Sequence, residues 1–218
     1  MTKRRSLAVG AALAAMMAAT PSATPLQAQQ SFGSFSYFWS LPTVATKNYI
    51  DNDSWVGFAF DFRKFINYNN TLAVGGVLAW NEFYWNTSNP LGFTCGTNCA
   101  GNVQGQQYRN FNMFPILFGA TYYAASHSGS GTRPFVGLDL GVYYMYQTFT
   151  VSATTLSTSN WIFGLAPQAG VRFSMQNGGT VSLYARYNWP VHACCFLPNQ
   201  ASGSFQYLSI GIALGYGQ

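Results

Sequence analysis

Charge is scarce in this chain, and its scarcity argues against a soluble globular protein. Only 7% of the 218 residues are Asp, Glu, Lys or Arg, against about 25% in a typical soluble domain. Long apolar runs are missing too. Beyond the N-terminus no stretch reaches the about 18 apolar residues of a spanning helix, which disfavours a helical membrane protein. Histidine is limited to His127 and His192, and acid to five carboxylates. Aromatic residues are plentiful, with 14 Tyr, 18 Phe and 6 Trp. Few charges, many aromatics and no spanning helix leave the closed β-barrel, the other membrane structure that pairs every backbone group internally.

The N-terminus reads as an address. Lys3, Arg4 and Arg5 form a basic start, residues 6–19 an Ala/Met/Leu-rich core, and Leu26-Gln27-Ala28 a small-residue cleavage site. This order predicts a signal peptide over residues 1–28 and a single domain over 29–218. Without the leader, seven basic and five acidic residues remain, a net charge of +2. The remaining Lys and Arg are scattered, whereas a nucleic-acid surface clusters them, so no nucleic-acid partner is expected.

Eight stretches of period-2 alternation are separated by polar, Gly/Asn/Ser-rich breaks, at about 32–43, 54–66, 71–86, 109–125, 133–152, 159–175, 180–193 and 204–217. In the second, Val56, Phe58, Phe60 and Phe62 share one face and Gly57, Ala59, Asp61 and Arg63 the other. The fifth sets Val136, Leu138, Leu140, Val142 and Tyr144 against Gly137, Asp139, Gly141 and Tyr143. The seventh and eighth repeat the pattern, with Val181, Leu183 and Ala185 or Leu208, Ile210 and Ile212 opposite small and polar residues. A soluble barrel would bury the large apolar set, whereas the opposite set, mainly Gly, Ala, Ser and charged groups, is too small and too polar for a soluble core. Large apolar outside and small polar inside predicts an all-β, eight-stranded antiparallel up-and-down transmembrane β-barrel. Longer breaks at 44–53, 87–108, 153–158 and 194–203 alternate with short ones at 67–70, 126–132 and 176–179. Such alternation predicts long loops outside the cell and both termini in the periplasm.

Three segments resemble the small outer-membrane β-barrel proteins that include the OmpA barrel domain and OmpW-like proteins. One is Phe114-Pro115-Ile116-Leu117-Phe118-Gly119-Ala120-Thr121-Tyr122-Tyr123 with Arg133-Pro134-Phe135-Val136-Gly137-Leu138-Asp139-Leu140-Gly141. The second runs from Phe163 to Phe173. In the third, Ser209, Gly211, Leu214 and Tyr216 are similar to the C-terminal signal read by the barrel-assembly machinery, although Gly217 and Gln218 follow the aromatic residue. The resemblance covers about residues 30–218. It implies a lipid and lipopolysaccharide environment, and one fold in such families hosts many functions.

An eight-stranded barrel has an interior that side chains fill. Asp61, Arg63, Asp139, Arg172 and Arg186 all fall on the small, polar face, which predicts a lumenal network in which the two aspartates accept from two or three arginines, because buried charges need partners. Structural plugging is preferred over an ion pathway. Trp80, Tyr84, Trp85, Tyr144, Tyr146 and Trp189 read as one aromatic girdle and Tyr216 as part of the other.

Cys95, Cys99, Cys194 and Cys195 fall in two long breaks, and an oxidising compartment favours disulfides. Three pairings are open. A local Cys95–Cys99 bond is slightly preferred over two bonds stapling the loops together. Apart from His192, no nearby histidine spacing supports a metal site, and none is expected. His127 and His192 lie at opposite ends of the barrel without carboxylate neighbours, so no catalytic site is assigned. The expected function is therefore a non-enzymatic integral outer-membrane protein with a structural or surface-interaction role, without cofactor and preferably monomeric. The alternative is a narrow channel or transporter for small solutes or apolar molecules, and a lipid-modifying enzyme is the third.

Overall fold

A computed structural model describes residues 31–94, 100–124, 131–175, 178–191 and 205–217. The signal peptide expected over residues 1–28 lies outside them. Ten strands and one short helix make up the fold: β1 (Ser31–Thr43), α1 (Val44–Tyr49), β2 (Val56–Phe65), β3 (Leu72–Thr87), β4 (Leu91–Thr94), β5 (Ala100–Val103), β6 (Gln107–Tyr123), β7 (Thr132–Val151), β8 (Thr154–Ser174), β9 (Gly179–Pro190) and β10 (Phe205–Gly217). Eight of the strands close into an antiparallel barrel in the order β1-β10-β9-β8-β7-β6-β3-β2, while β4 and β5 form a separate hairpin between β3 and β6. Closure occurs where β1 pairs with β10, from Phe32↔Gly217 to Thr43↔Gln206. A closed sheet leaves no edge with unpaired backbone groups, as a hydrocarbon environment requires.

The first short turn has a local cause. Between β2 and β3, Asn67 Oδ1 accepts from the backbone N–H of Thr71 and Leu72 at 2.9 and 2.8 Å, and Asn70 takes the left-handed φ of 49° that asparagine tolerates. The β3–β6 ladder skips Ala79 and Trp80 opposite Phe114 and Pro115, and the β8–β9 ladder skips Ala166 and Pro167. In both places a proline without an N–H interrupts the pairing, and the register resumes unchanged beyond it.

The expected break between β7 and β8 needs correction. Residues 153–158 are not a loop. β7 and β8 stay paired out to Val151↔Thr154, and the reversal takes only Ser152 and Ala153, with Ser152 at φ 52°. Hydropathy alternation disappears over Thr154–Ser159 because almost every residue there is exposed on both faces, so a strand rich in Thr and Ser carries no burial pattern.

Outside, the large apolar side chains form a continuous belt. Its upper edge is a ladder of rings on neighbouring strands, Phe35, Phe58, Trp80, Phe114, Tyr144 and Trp161, with successive centroids 5.0–6.4 Å apart. Phe114 and the exposed Tyr122 both face outward on β6, about 27 Å apart along the strand. At a tilt of about 35–45° this spans about 19–22 Å of height, most of an apolar band about 25 Å tall. Trp85 does not belong to the girdle expected of it. Its position has the parity of the inward-facing Phe83, and its ring lies against the Arg109 guanidinium.

The interior is layered. Towards the end that carries the short turns and both chain ends, Phe65, Ala73, Tyr123, Phe135, Tyr184 and Ala213 pack together with Phe32. Towards the other end a larger cluster includes Phe38, Val77, Phe83, Phe111, Met113, Tyr143, Met145 and Tyr207. Tyr49 of α1 and the adjoining Ile50 join this second cluster, so the helix closes the barrel mouth.

Candidate functional site

Between the two apolar clusters lies a charged layer whose geometry depends on glycine. Arg63 on β2 stands beside Gly75 on β3, Gly75 beside Gly119 on β6, and Gly119 beside Asp139 on β7. Two strands in succession thus present no side chain. The Arg63 guanidinium crosses the gap and donates from Nη2 to both Asp139 oxygens, at 2.9 and 3.1 Å. The same nitrogen reaches Asp61 Oδ2 at 3.0 Å, and Nε lies 2.9 Å from Asp61 Oδ1. Gln168 Nε2 donates to Asp139 Oδ2 at 3.1 Å, while its Oε1 accepts from Arg186 Nη2 at 2.8 Å. Arg186 Nη2 lies 3.6 Å from Asp61 and 3.8 Å from Asp139. Two arginines and two aspartates therefore balance within one layer.

Arg172 stands apart from it. Its guanidinium lies 3.9 Å from the centre of the Phe32 ring. Directly across the β7–β8 ladder is Arg133, whose Nη2 and Nε are taken by the carbonyls of Asn70 at 2.6 Å and Ala124 at 3.2 Å. A cavity of ≈ 40 Å³ adjoins the charged layer, bordered by Ser34, Ser36, Asp61, Arg63 and Arg186, polar and roomy enough for water.

A second polar group lies under the far mouth. Arg109 Nη1 donates to the Tyr49 carbonyl and Nη2 to Gln107 Oε1, both at 2.7 Å. The rings of Tyr49, Trp85 and Phe149 surround it, with centres 5.3, 4.9 and 5.9 Å from the guanidinium carbon. Burial pushes the Tyr49 phenol above its ordinary pKa, with the Arg109 charge pulling the other way, so it stays a hydroxyl donor at neutral pH. No signal in the sequence singled out Arg109. Polar and aromatic residues mix on both faces of β6 around it, Gln107 and Phe111 on one and Tyr108, Asn110 and Asn112 on the other, so alternation could not say which way it points.

The other singled-out residues have definite places. Ser209 faces the interior, its hydroxyl 3.0 Å from Ser40 Oγ, and it accepts from Asn188 Nδ2 at 3.2 Å. A Cβ at Gly211 would lie 2.7 Å from Phe38 Cβ and 2.9 Å from Tyr184 Cζ, so glycine there leaves room for two interior rings. Leu214 and Tyr216 are exposed on the outer surface of β10. Glu82 is on the outer face just beyond the ring ladder, where it accepts from Asn110. Asn110 in turn accepts from Asn112, which accepts from the Trp80 indole at 3.0 Å. Cys95, Cys99, Cys194, Cys195, His127 and His192 lie outside the described residues. Among the described residues no group of three His, Cys, Asp or Glu is placed to hold a metal.

No protein-family model matches the chain, and no curated protein matches it in sequence. Solved structures do match. Ail, the attachment invasion locus protein of Yersinia pestis, solved in complex with the heparin analogue sucrose octasulfate, superposes with a TM-score of 0.54 at 16% identity, over 88% of this chain and 100% of Ail. Neisserial surface protein A superposes with a TM-score of 0.52 at 10% identity, over 86% of this chain and 95% of its own. The fold is that of the small outer-membrane β-barrels. Identity this low carries the barrel architecture from strand to strand and carries no ligand or residue role with it.

Proposed function

We propose that this barrel is a non-enzymatic integral outer-membrane protein with a structural or surface-interaction role, its long connections outside the cell and its termini in the periplasm. The observation that supports it most is the filled interior, with an apolar cluster on either side of a balanced charged layer and α1 across one mouth. A lumen packed in this way favours a plugged barrel, with exchange with the surroundings falling to the connections and the outer face. The ring ladder and exposed aliphatic belt suit lipid and lipopolysaccharide as surroundings, and β10 suits recognition by the assembly machinery through Ser209, Gly211, Leu214 and Tyr216. Its charge gives no surface for nucleic acid. The barrel works as a monomer without a cofactor.

A narrow conduit for small solutes is the competing function. The polar cavity beside Arg63 and Arg186 is the feature in its favour, since Arg63 Nη1 and Arg186 Nε there have no hydrogen-bond partner. Planar-bilayer recording of the refolded protein separates the two. A filled lumen gives a silent bilayer, and discrete conductance steps that vanish on heat denaturation overturn it.

A further inference from the structure

Arg109 is a buried charge that the barrel does not balance. It is 2% exposed, and among the described residues no carboxylate lies within ion-pair distance. Its aromatic surroundings favour a cation, and among the described residues Nε has no hydrogen-bond partner. Gln147 is its diagonal neighbour on the inner face, since Arg109 pairs with Phe149 and Phe111 with Gln147. Such diagonal neighbours are within reach of long side chains. Gln147 is 0% exposed, and neither its amide oxygen nor its nitrogen is bonded. On α1 above them, the Tyr49 hydroxyl and Thr46 Oγ1 are likewise buried and unpaired.

Folded proteins pair the large majority of buried side-chain polar atoms. Three side chains with unspent hydrogen bonds near one uncompensated cation, at the barrel mouth, therefore need an explanation. Arg109 Nε and Gln147 Nε2 are donors, the Tyr49 and Thr46 hydroxyls can donate, Gln147 Oε1 alone can only accept, and the charge is positive. The complement is a ligand rich in acceptors and negatively charged.

We propose that Arg109, Gln147 and Tyr49 form a binding site for an oxyanion, a carboxylate, sulfate or phosphate ester group, offered from the side of the long connections. The anion takes the place of the Tyr49 carbonyl on Arg109 and exchanges a neutral acceptor for a charge-assisted one. Gln147 Nε2 and the Tyr49 hydroxyl supply further donors. This gives the surface-interaction role a ligand class, and it fails separately from that role, because conductance tests the lumen whereas anion binding tests the mouth.

The test is a titration of the refolded barrel with sodium sulfate, with sodium chloride at matched ionic strength as the reference. Tryptophan emission is the readout, because the Trp85 ring lies 4.9 Å from the guanidinium carbon. Acetate and inorganic phosphate arms tell a carboxylate site from a sulfate or phosphate site. The expected result is a saturable change with at least one of the three oxyanions that chloride does not give, lost in Arg109→Gln. Gln147→Leu is the sharper variant, and it decides the matter if Arg109→Gln does not fold. It removes an unpaired buried amide at similar volume, so the barrel unfolds at higher urea, while oxyanion affinity falls about ten-fold. Equal responses to chloride and all three oxyanions overturn the proposal. So does a Gln147→Leu barrel that binds like the parent.

Discussion

Asp139→Ala lowers the stability of the folded barrel by about 3–5 kcal/mol, the cost of breaking a buried ion pair from one side. Asp139 is 0% exposed and accepts from Arg63 and Gln168, with Arg186 within 3.8 Å. Without it, two arginines share Asp61 alone and the layer carries an unbalanced positive charge in a low-dielectric interior. Urea unfolding of the barrel in vesicles, followed by tryptophan emission, reads the loss as a lower midpoint at an unchanged slope. The double variant Arg63→Met, Asp139→Leu recovers most of it, since removing both members of a buried pair is far cheaper than removing one. Arg186 and Asp61 then remain, 3.6 Å apart and of opposite charge. An Asp139→Ala barrel that unfolds with the parent would mean that the layer is solvated well enough to do without its pairing.

The second large effect is expected from a residue without a side chain. Gly119→Val abolishes the folded form. A Cβ at this position would stand 2.1 Å from the Leu138 carbonyl oxygen, 2.6 Å from Asp139 Cα and 2.5 Å from Asp139 Oδ1. Two of these three are backbone atoms of a strand hydrogen-bonded on both sides, so they cannot step aside as a flexible side chain would. Overpacking of this kind costs about 3 kcal/mol or more, and the branched side chain would also block the path of Arg63 to Asp139. Ala120→Val is the control, because Ala120 is the next residue on the same strand and is exposed on the outer surface. It leaves the folded band on an unboiled gel intact, while Gly119→Val removes it.

The barrel was legible in the sequence where its two faces differ most. β2 and β7 carry large apolar residues at alternate positions and Gly, Ala or charge between them, and the structure puts Phe60 and Leu140 outside and Arg63 and Asp139 inside. Alternation fails where both faces meet the same environment. The Thr/Ser-rich start of β8 is wet on both sides, so its strand reads as a loop. Around Arg109 on β6 both faces mix polar and aromatic residues, and so periodicity does not reveal the arginine and its cage. Trp85 reads as a girdle residue because a tryptophan near a strand end suits either place, and only the register with Arg109 turns it inward. The glycine row beneath Arg63 depends on which strands are neighbours, and single-strand periodicity does not contain that information.

The most direct test of a membrane-spanning closed barrel is electrophoresis of the outer-membrane fraction from expressing cells, with and without boiling. An apolar outer belt around a closed sheet predicts the protein in that fraction, with an unboiled form that migrates differently from the boiled one. Protein found in the soluble periplasm without detergent would contradict it, because the exposed Phe, Leu, Ile and Trp of every strand would then have to face inward.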